Sequence, residues 1–134
     1  MKRFSVILFV AFVACVCSCH RSQNTPNTSN PTSFHGTYLG ILPCADCSGI
    51  ETEIVLHKDN TYVKKTRYLG KGDDQKMEET GTYKWNKSEN EIILNGITDE
   101  PNKYFVEEGA IVQADMDGER ITGELSMYCI LRKR

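Results

Sequence analysis

From Phe34 to the C-terminus the chain nowhere sustains a helical period: its apolar residues fall in short alternating runs, each cut off by Gly, Pro, Asn or Asp. An amphipathic helix needs apolar residues recurring three and four positions apart over several turns, whereas a half-buried strand needs only alternation over four to eight residues. Glu51–Lys58 alternates with Thr52, Ile54 and Leu56 on one face, and Asp59-Asn60 turns it into Thr61–Tyr68. A polar loop from Gly70 to Lys76 leads into Thr80–Trp85, where Tyr83 and Trp85 share a face. Shorter runs follow at Glu91–Leu94, Tyr104–Val106 and Ala110–Gln113. Asp117-Gly118, a hairpin dipeptide, then introduces Arg120–Gly123 and Leu125–Leu131. Roughly eight strands separated by turns form an antiparallel meander. In so small a chain, closing the sheet hides its edges best. The expected architecture is therefore all-β, a small antiparallel up-and-down barrel over residues 34–134.

The first eighteen residues have a different purpose. Lys2 and Arg3 precede an apolar run from Phe4 to Val16, and Val16-Cys17-Ser18-Cys19 closes it. A basic start, a short apolar stretch and a small residue before the cut make an export signal, and the run is shorter than the roughly 20 residues a bilayer span needs. The cysteine after the small residue resembles a lipobox, with Cys19 as the lipidated first residue of the mature chain. Cys15 is the next best choice. Residues 19–33, from Cys19 through a polar stretch rich in Ser, Thr, Asn and Pro, bury too little to fold. They are expected to be a disordered tether, allowing a reach of about 20 Å from the membrane.

Export determines how the remaining cysteines are read, because envelope thiols are prone to oxidation. Of the six cysteines, Cys44, Cys47 and Cys129 follow the lipidation site. Loss of Lys2 and Arg3 with the leader leaves 14 basic residues against 18 acidic ones. With that mild acidity and no basic stripe, nucleic acid is not an expected partner.

Chemistry concentrates in Leu42-Pro43-Cys44-Ala45-Asp46-Cys47-Ser48-Gly49-Ile50. A CxxC pair can close a disulfide, offer two soft ligands to a metal such as Cu(I), or shuttle electrons. The shuttle needs a βαβ setting that is not legible here, and a closed zinc site needs a second pair. Disulfide and thiolate pair therefore both stay open. Cys129 falls on an alternating face with Leu125, Met127 and Leu131. That makes it a small core residue, with the rival role of a further sulfur ligand alongside Met127. His35 and His57 are further ligand candidates, with His57 expected in solvent. Tyr38, Tyr62, Tyr68, Tyr83 and Trp85 either fill the core or line a lipocalin-type cavity for a small apolar ligand. The second choice would make the CxxC a mere staple. Asp46, Glu78-Glu79 and Glu107-Glu108 read as solvated, and no Ser–His–Asp order or carboxylate pair supports an enzyme.

The stretch from Gly36 to Ile50, with its proline–cysteine–alanine–aspartate–cysteine core, strongly resembles the NlpE N-terminal domain family of copper-resistance lipoproteins. The likeness continues through Thr52–Leu56, Thr61-Tyr62, Tyr68–Lys71, Gly81–Trp85, Asp117-Gly118 and the final strand. The resemblance implies a lipocalin-like barrel on an envelope lipoprotein linked to copper tolerance. It also implies signalling of envelope stress to a sensor kinase, and Cys44 and Cys47 carry over as the functional pair. Longer members carry a second, OB-like domain for which this sequence has no room, so the kinase is the less secure of the implied partners. His20 after the lipidated cysteine points to the outer membrane.

Overall fold

The computed structural model describes residues 34–71 and 75–134. The expected signal peptide (1–18), the expected lipidation site Cys19 and the expected tether (19–33) lie outside the described residues. Eight antiparallel strands run in chain order around a closed barrel: β1 Gly36–Leu42, β2 Gly49–Leu56, β3 Thr61–Leu69, β4 Lys76–Trp85, β5 Glu91–Leu94, β6 Lys103–Glu107, β7 Ala110–Gln113 and β8 Ile130–Lys133. Each strand pairs with its neighbours, and β8 returns to β1 through Tyr38↔Lys133 and Leu39↔Arg132. The up-and-down barrel expected from the alternating runs is the fold.

Alternation positions the core. Tyr38, Ile54, Leu56, Tyr62, Ile92, Leu94, Tyr104, Ile111 and Leu131 are all almost fully buried, and they pack with Tyr83 and Phe34 as one cluster. Trp85 lies against that cluster partly buried, its ring edge-on to Phe34 with centroids 4.6 Å apart. The aromatics expected either to fill the core or to line a cavity thus do the former, except Tyr68, which is half-buried near the barrel rim. Turn chemistry matches the sequence at Asp59-Asn60. There Asp59 Oδ1 accepts from the Thr61 amide at 3.1 Å, while Asn60 takes a φ of 63°, which asparagine tolerates better than most residues.

Two strand assignments need correction. Arg120–Gly123 is not a strand; Arg120 makes only an isolated bridge to Ala114. Leu125–Leu131 is not one continuous strand either, since Glu124–Tyr128 forms a 3-10 turn and β8 starts at Ile130. Gly123 at φ 77° and the Ser126 hydroxyl, which donates to the Gly123 carbonyl at 2.7 Å, favour local i+3 bonding over a ladder. The stripe expected on that segment is accordingly split. Cys129 and Leu131 are buried, but Leu125 and Met127 are 60% and 63% exposed.

Strand β4 also begins earlier than its apolar residues suggest. Lys76–Glu79 pairs with β3 in the register Arg67↔Lys76, Lys65↔Glu78 and Lys64↔Glu79, and the opposite charges of the last two pairs support it. Glu79 is for that reason not the freely solvated residue expected, because its carboxylate lies 3.6 Å from the Lys64 ammonium.

Candidate functional site

The β1–β2 connection, Pro43–Ser48, carries the cysteine pair at one end of the barrel. β1 ends at Leu42, β2 starts at Gly49, and Leu42 pairs with Ile50 across the base of the loop. The Ser48 amide donates to the Leu69 carbonyl at 2.9 Å, tying the loop to the end of β3. Gly49, at φ 144°, opens β2 in a conformation that favours glycine. Held in this way, Cys44 and Cys47 are joined as a disulfide with Cα atoms 5.3 Å apart. Both are half-buried, while Ala45 and Asp46 between them are exposed.

Asp46 adds a carboxylate to the pair. One ligand atom each from Cys44, Asp46 and Cys47 lies within 4.8 Å of the others. Lys71, from the β3–β4 connection, hydrogen-bonds Asp46. This bond, and then the lysine charge, holds the Asp46 carboxyl below its ordinary range. In the disulfide state the sulfurs are not thiolates and cannot act as soft ligands. Reduced, the loop would present two sulfurs and an anionic oxygen at its rim, a donor set in which the sulfurs suit a soft ion such as Cu(I).

The other candidate ligands do not join this group. Cys129 is buried and reduced; its thiol donates to the Leu125 carbonyl at 3.4 Å, and burial pushes its pKa up. It is the small core residue of the two roles read for it. Met127 sits exposed on the 3-10 turn. His35 precedes β1 and His57 follows β2, so both lie at the barrel end away from the cysteines. His35 is near the Tyr83 hydroxyl, 3.3 Å from its Nδ1, and His57 is exposed.

One group was not singled out by sequence reasoning. Lys64, in the middle of β3, points into the barrel and is 1% exposed. It meets Glu79 of β4 and Glu100 of the β5–β6 loop. Residues Tyr62, Lys64, Thr66 and Tyr68 share one parity, and that parity alone would have placed the lysine inward.

With this geometry in hand, comparison with known proteins is decisive on family. Residues 38–124 match the family model described as the NlpE N-terminal domain. The chain belongs to the NlpE N-terminal domain family. Lipoprotein NlpE of Escherichia coli strain K12 is 33% identical over 91 residues, which are 67% of this chain but 38% of that protein. The crystal structure of a Shewanella oneidensis protein described as a lipoprotein superposes with a TM-score of 0.70 at 36% identity, covering 81% of this chain and 96% of that one. The crystal structure of the E. coli Cpx pathway activator NlpE gives a TM-score of 0.52 at 32% identity, covering 66% of this chain and 46% of that one. The chain therefore spans well under half the length of the E. coli protein. The Cys44–Cys47 loop falls inside the matched region, as do all strands except part of β1 and the whole of β8.

Proposed function

We propose that this protein is a non-enzymatic envelope lipoprotein, anchored in the outer membrane through Cys19, whose Cys44–Cys47 loop senses or buffers envelope conditions by its disulfide state or by binding copper. The observation that carries the reading is the placement of the pair: a four-residue ring on a rim loop with an exposed aspartate at its tip. Two-electron reduction with two protons would convert the disulfide into two thiols. Both sulfurs, with Asp46 beside them, would then be available to a soft ion. The names of the relatives support the lipid anchor, and the name of the E. coli structure supports a link to envelope stress signalling, with a sensor kinase as the implied partner. The rival reading, a carrier of a small apolar ligand, has less support because Tyr38, Tyr62 and Tyr83 are packed in the core.

The test replaces both Cys44 and Cys47 with serine. A ring this small restrains the unfolded chain weakly, so losing the bridge should cost no more than about 2 kcal/mol. The barrel should stay folded by circular dichroism. In competition with a Cu(I) chelator, reduced wild-type protein is expected to retain the ion, while oxidised protein and the double variant release it. Equal retention by the folded double variant would remove copper from the reading. An unchanged envelope-stress response in cells carrying that variant would remove the sensing role.

A further inference from the structure

Lys64 presents a physical problem that its two carboxylate partners, Glu79 and Glu100, have to solve. An ammonium inside a barrel loses its hydration and must recover that energy from charge and hydrogen bonds. The inward layer around it is mixed: its ladder partner on β2 is the buried Ile54, Thr52 and Thr66 are buried one step nearer the rim, and between the neighbouring strands β6 and β7 the Gln113 amide donates to the Tyr104 hydroxyl at 3.4 Å. Below this layer, toward the β2–β3 turn, the interior is the packed aromatic and aliphatic core. Above it, toward the rim, the inward positions are Leu42, Ile50, Tyr68 and Met77, with Met77 half exposed.

The β5–β6 loop, residues 95–102, closes this half of the barrel. β5 pairs only with Tyr83–Trp85 of β4, and from the loop Glu100 reaches the same ammonium that Glu79 meets from β4. The same loop buries Ile97 against the core cluster. Its base is pinned by the Leu94 amide on the Asn102 carbonyl at 2.9 Å and by the Tyr62 hydroxyl on the Asn95 carbonyl at 3.0 Å. The loop thus inserts one carboxylate and one aliphatic group into the barrel, the two chemical parts of an amphiphilic acid. Unlike Glu79, Glu100 is attached to an irregular connection, so its carboxylate can be withdrawn without breaking a strand ladder.

We propose that the half-barrel above Lys64 is a binding site for amphiphilic monocarboxylates, fatty acids by chemical class, with loop 95–102 occupying it as a built-in stand-in. The incoming carboxylate takes the place of Glu100 on the Lys64 ammonium. Its alkyl chain replaces Ile97 and extends along Ile50 and Met77 to the rim. Recognition is of charge first, which separates this site from a purely apolar carrier and leaves the aromatic core in place. It also does not depend on the redox state of Cys44 and Cys47.

The experiment titrates the full chain with octanoate, octanol and octyltrimethylammonium by calorimetry. Octanoate is expected to bind while the alcohol and the cation do not. Withdrawing the loop lowers the apparent affinity by the fraction of time it stands open, so Glu100→Gln, which weakens the competing contact, should tighten octanoate binding by about tenfold. Lys64→Met should abolish it. Should Lys64→Met fail to fold, the Glu100→Gln comparison still decides, because it retains Lys64 and Glu79. Absence of octanoate binding in both wild type and Glu100→Gln would overturn the proposal. So would equal binding of octanol and octanoate, or equal affinity of the two proteins for octanoate.

Discussion

Four tyrosines each connect the packed interior to a polar partner. Tyr38 donates to the Phe34 carbonyl and so holds the entry to β1. Tyr62 donates to the Asn95 carbonyl at 3.0 Å, and Tyr83 to the His57 carbonyl at 2.7 Å. Tyr104 accepts from Gln113. Ionising Tyr38, Tyr62 or Tyr83 would destroy its donation, and ionising any of the four would strand a phenolate in the packed interior. Burial accordingly raises all four, with Tyr38 moved from 10.0 to about 12. The folded state holds these protons more tightly than the unfolded state does. Between about pH 10 and 12 the unfolded chain has lost protons that the native chain keeps, so stability falls as pH rises. The contribution is fully present below pH 10. Urea unfolding midpoints are expected to be flat up to that point and to drop above it. The drop should shrink in Tyr38→Phe, which also loses the Phe34 contact and should start about 1 kcal/mol less stable. Tyrosinate absorbance followed with pH checks the same claim directly. A titration of all tyrosines near pH 10 would contradict it.

Among the strands, the shortest ladder is the seam between β1 and β8, with two paired positions and, beyond them, the Arg134 amide donating to the Thr37 carbonyl at 2.9 Å. Gly40 makes that seam possible. A Cβ at this position would lie 2.6 Å from the Ile130 carbonyl oxygen and 2.7 Å from the Leu131 side chain. Because one of these neighbours is backbone, the strand would have to move rather than a rotamer. Gly40→Ala is expected to cost about 1–3 kcal/mol, and hydrogen exchange should accelerate in β8 before it does in β2 or β3. Uniform protection with unchanged stability would show the seam to be more compliant than this geometry allows. Strands also explain what could and could not be read in advance. β2, β3 and β5 to β7 were legible because one face is apolar and turns bracket each run. The first half of β4 was not, since its inward residues, Met77 and Glu79, stand beside charges that look solvated until β3 supplies Lys64 and Lys65 across the ladder. The last segment misled in the opposite direction. Its alternation is real, but Gly123 and Ser126 fold its first half locally. The cysteine loop was legible as chemistry from its spacing alone. Lys64 escaped because a charged residue is assigned to solvent by default, and only its parity with Tyr62 and Thr66 contradicts that default.

The barrel as a whole has two unlike ends. One carries the β1–β2 loop with its disulfide, together with the β3–β4, β5–β6 and β7–β8 connections. The other receives the chain at Phe34 and carries the β2–β3, β4–β5 and β6–β7 turns. The exposed large hydrophobics Ile41, Met77, Met116, Leu125, Met127 and Tyr128 all belong to the end of β1, the start of β4 or the β7–β8 connection, on the disulfide side. For a chain anchored through Cys19, as proposed, the end that receives the tether faces the lipid and the disulfide end faces away. The separation is the barrel height, about 20 Å for strands of this length and tilt. If residues 19–33 are the tether expected from their sequence, their reach would be of similar size, and the orientation would be a bias of the average rather than a fixed pose. Cysteines introduced singly as Ser48→Cys and Lys87→Cys, in a background with Cys44 and Cys47 replaced by serine, place a fluorophore at each end. On vesicles carrying a headgroup quencher, the label at position 87 should be quenched more strongly than the one at 48. Deleting residues 22–31 should widen the difference by removing the slack that averages it. Equal quenching of the two labels with the shortened tether would mean that the domain does not present its disulfide end outward. The sensing role would then have to act toward the membrane that holds it.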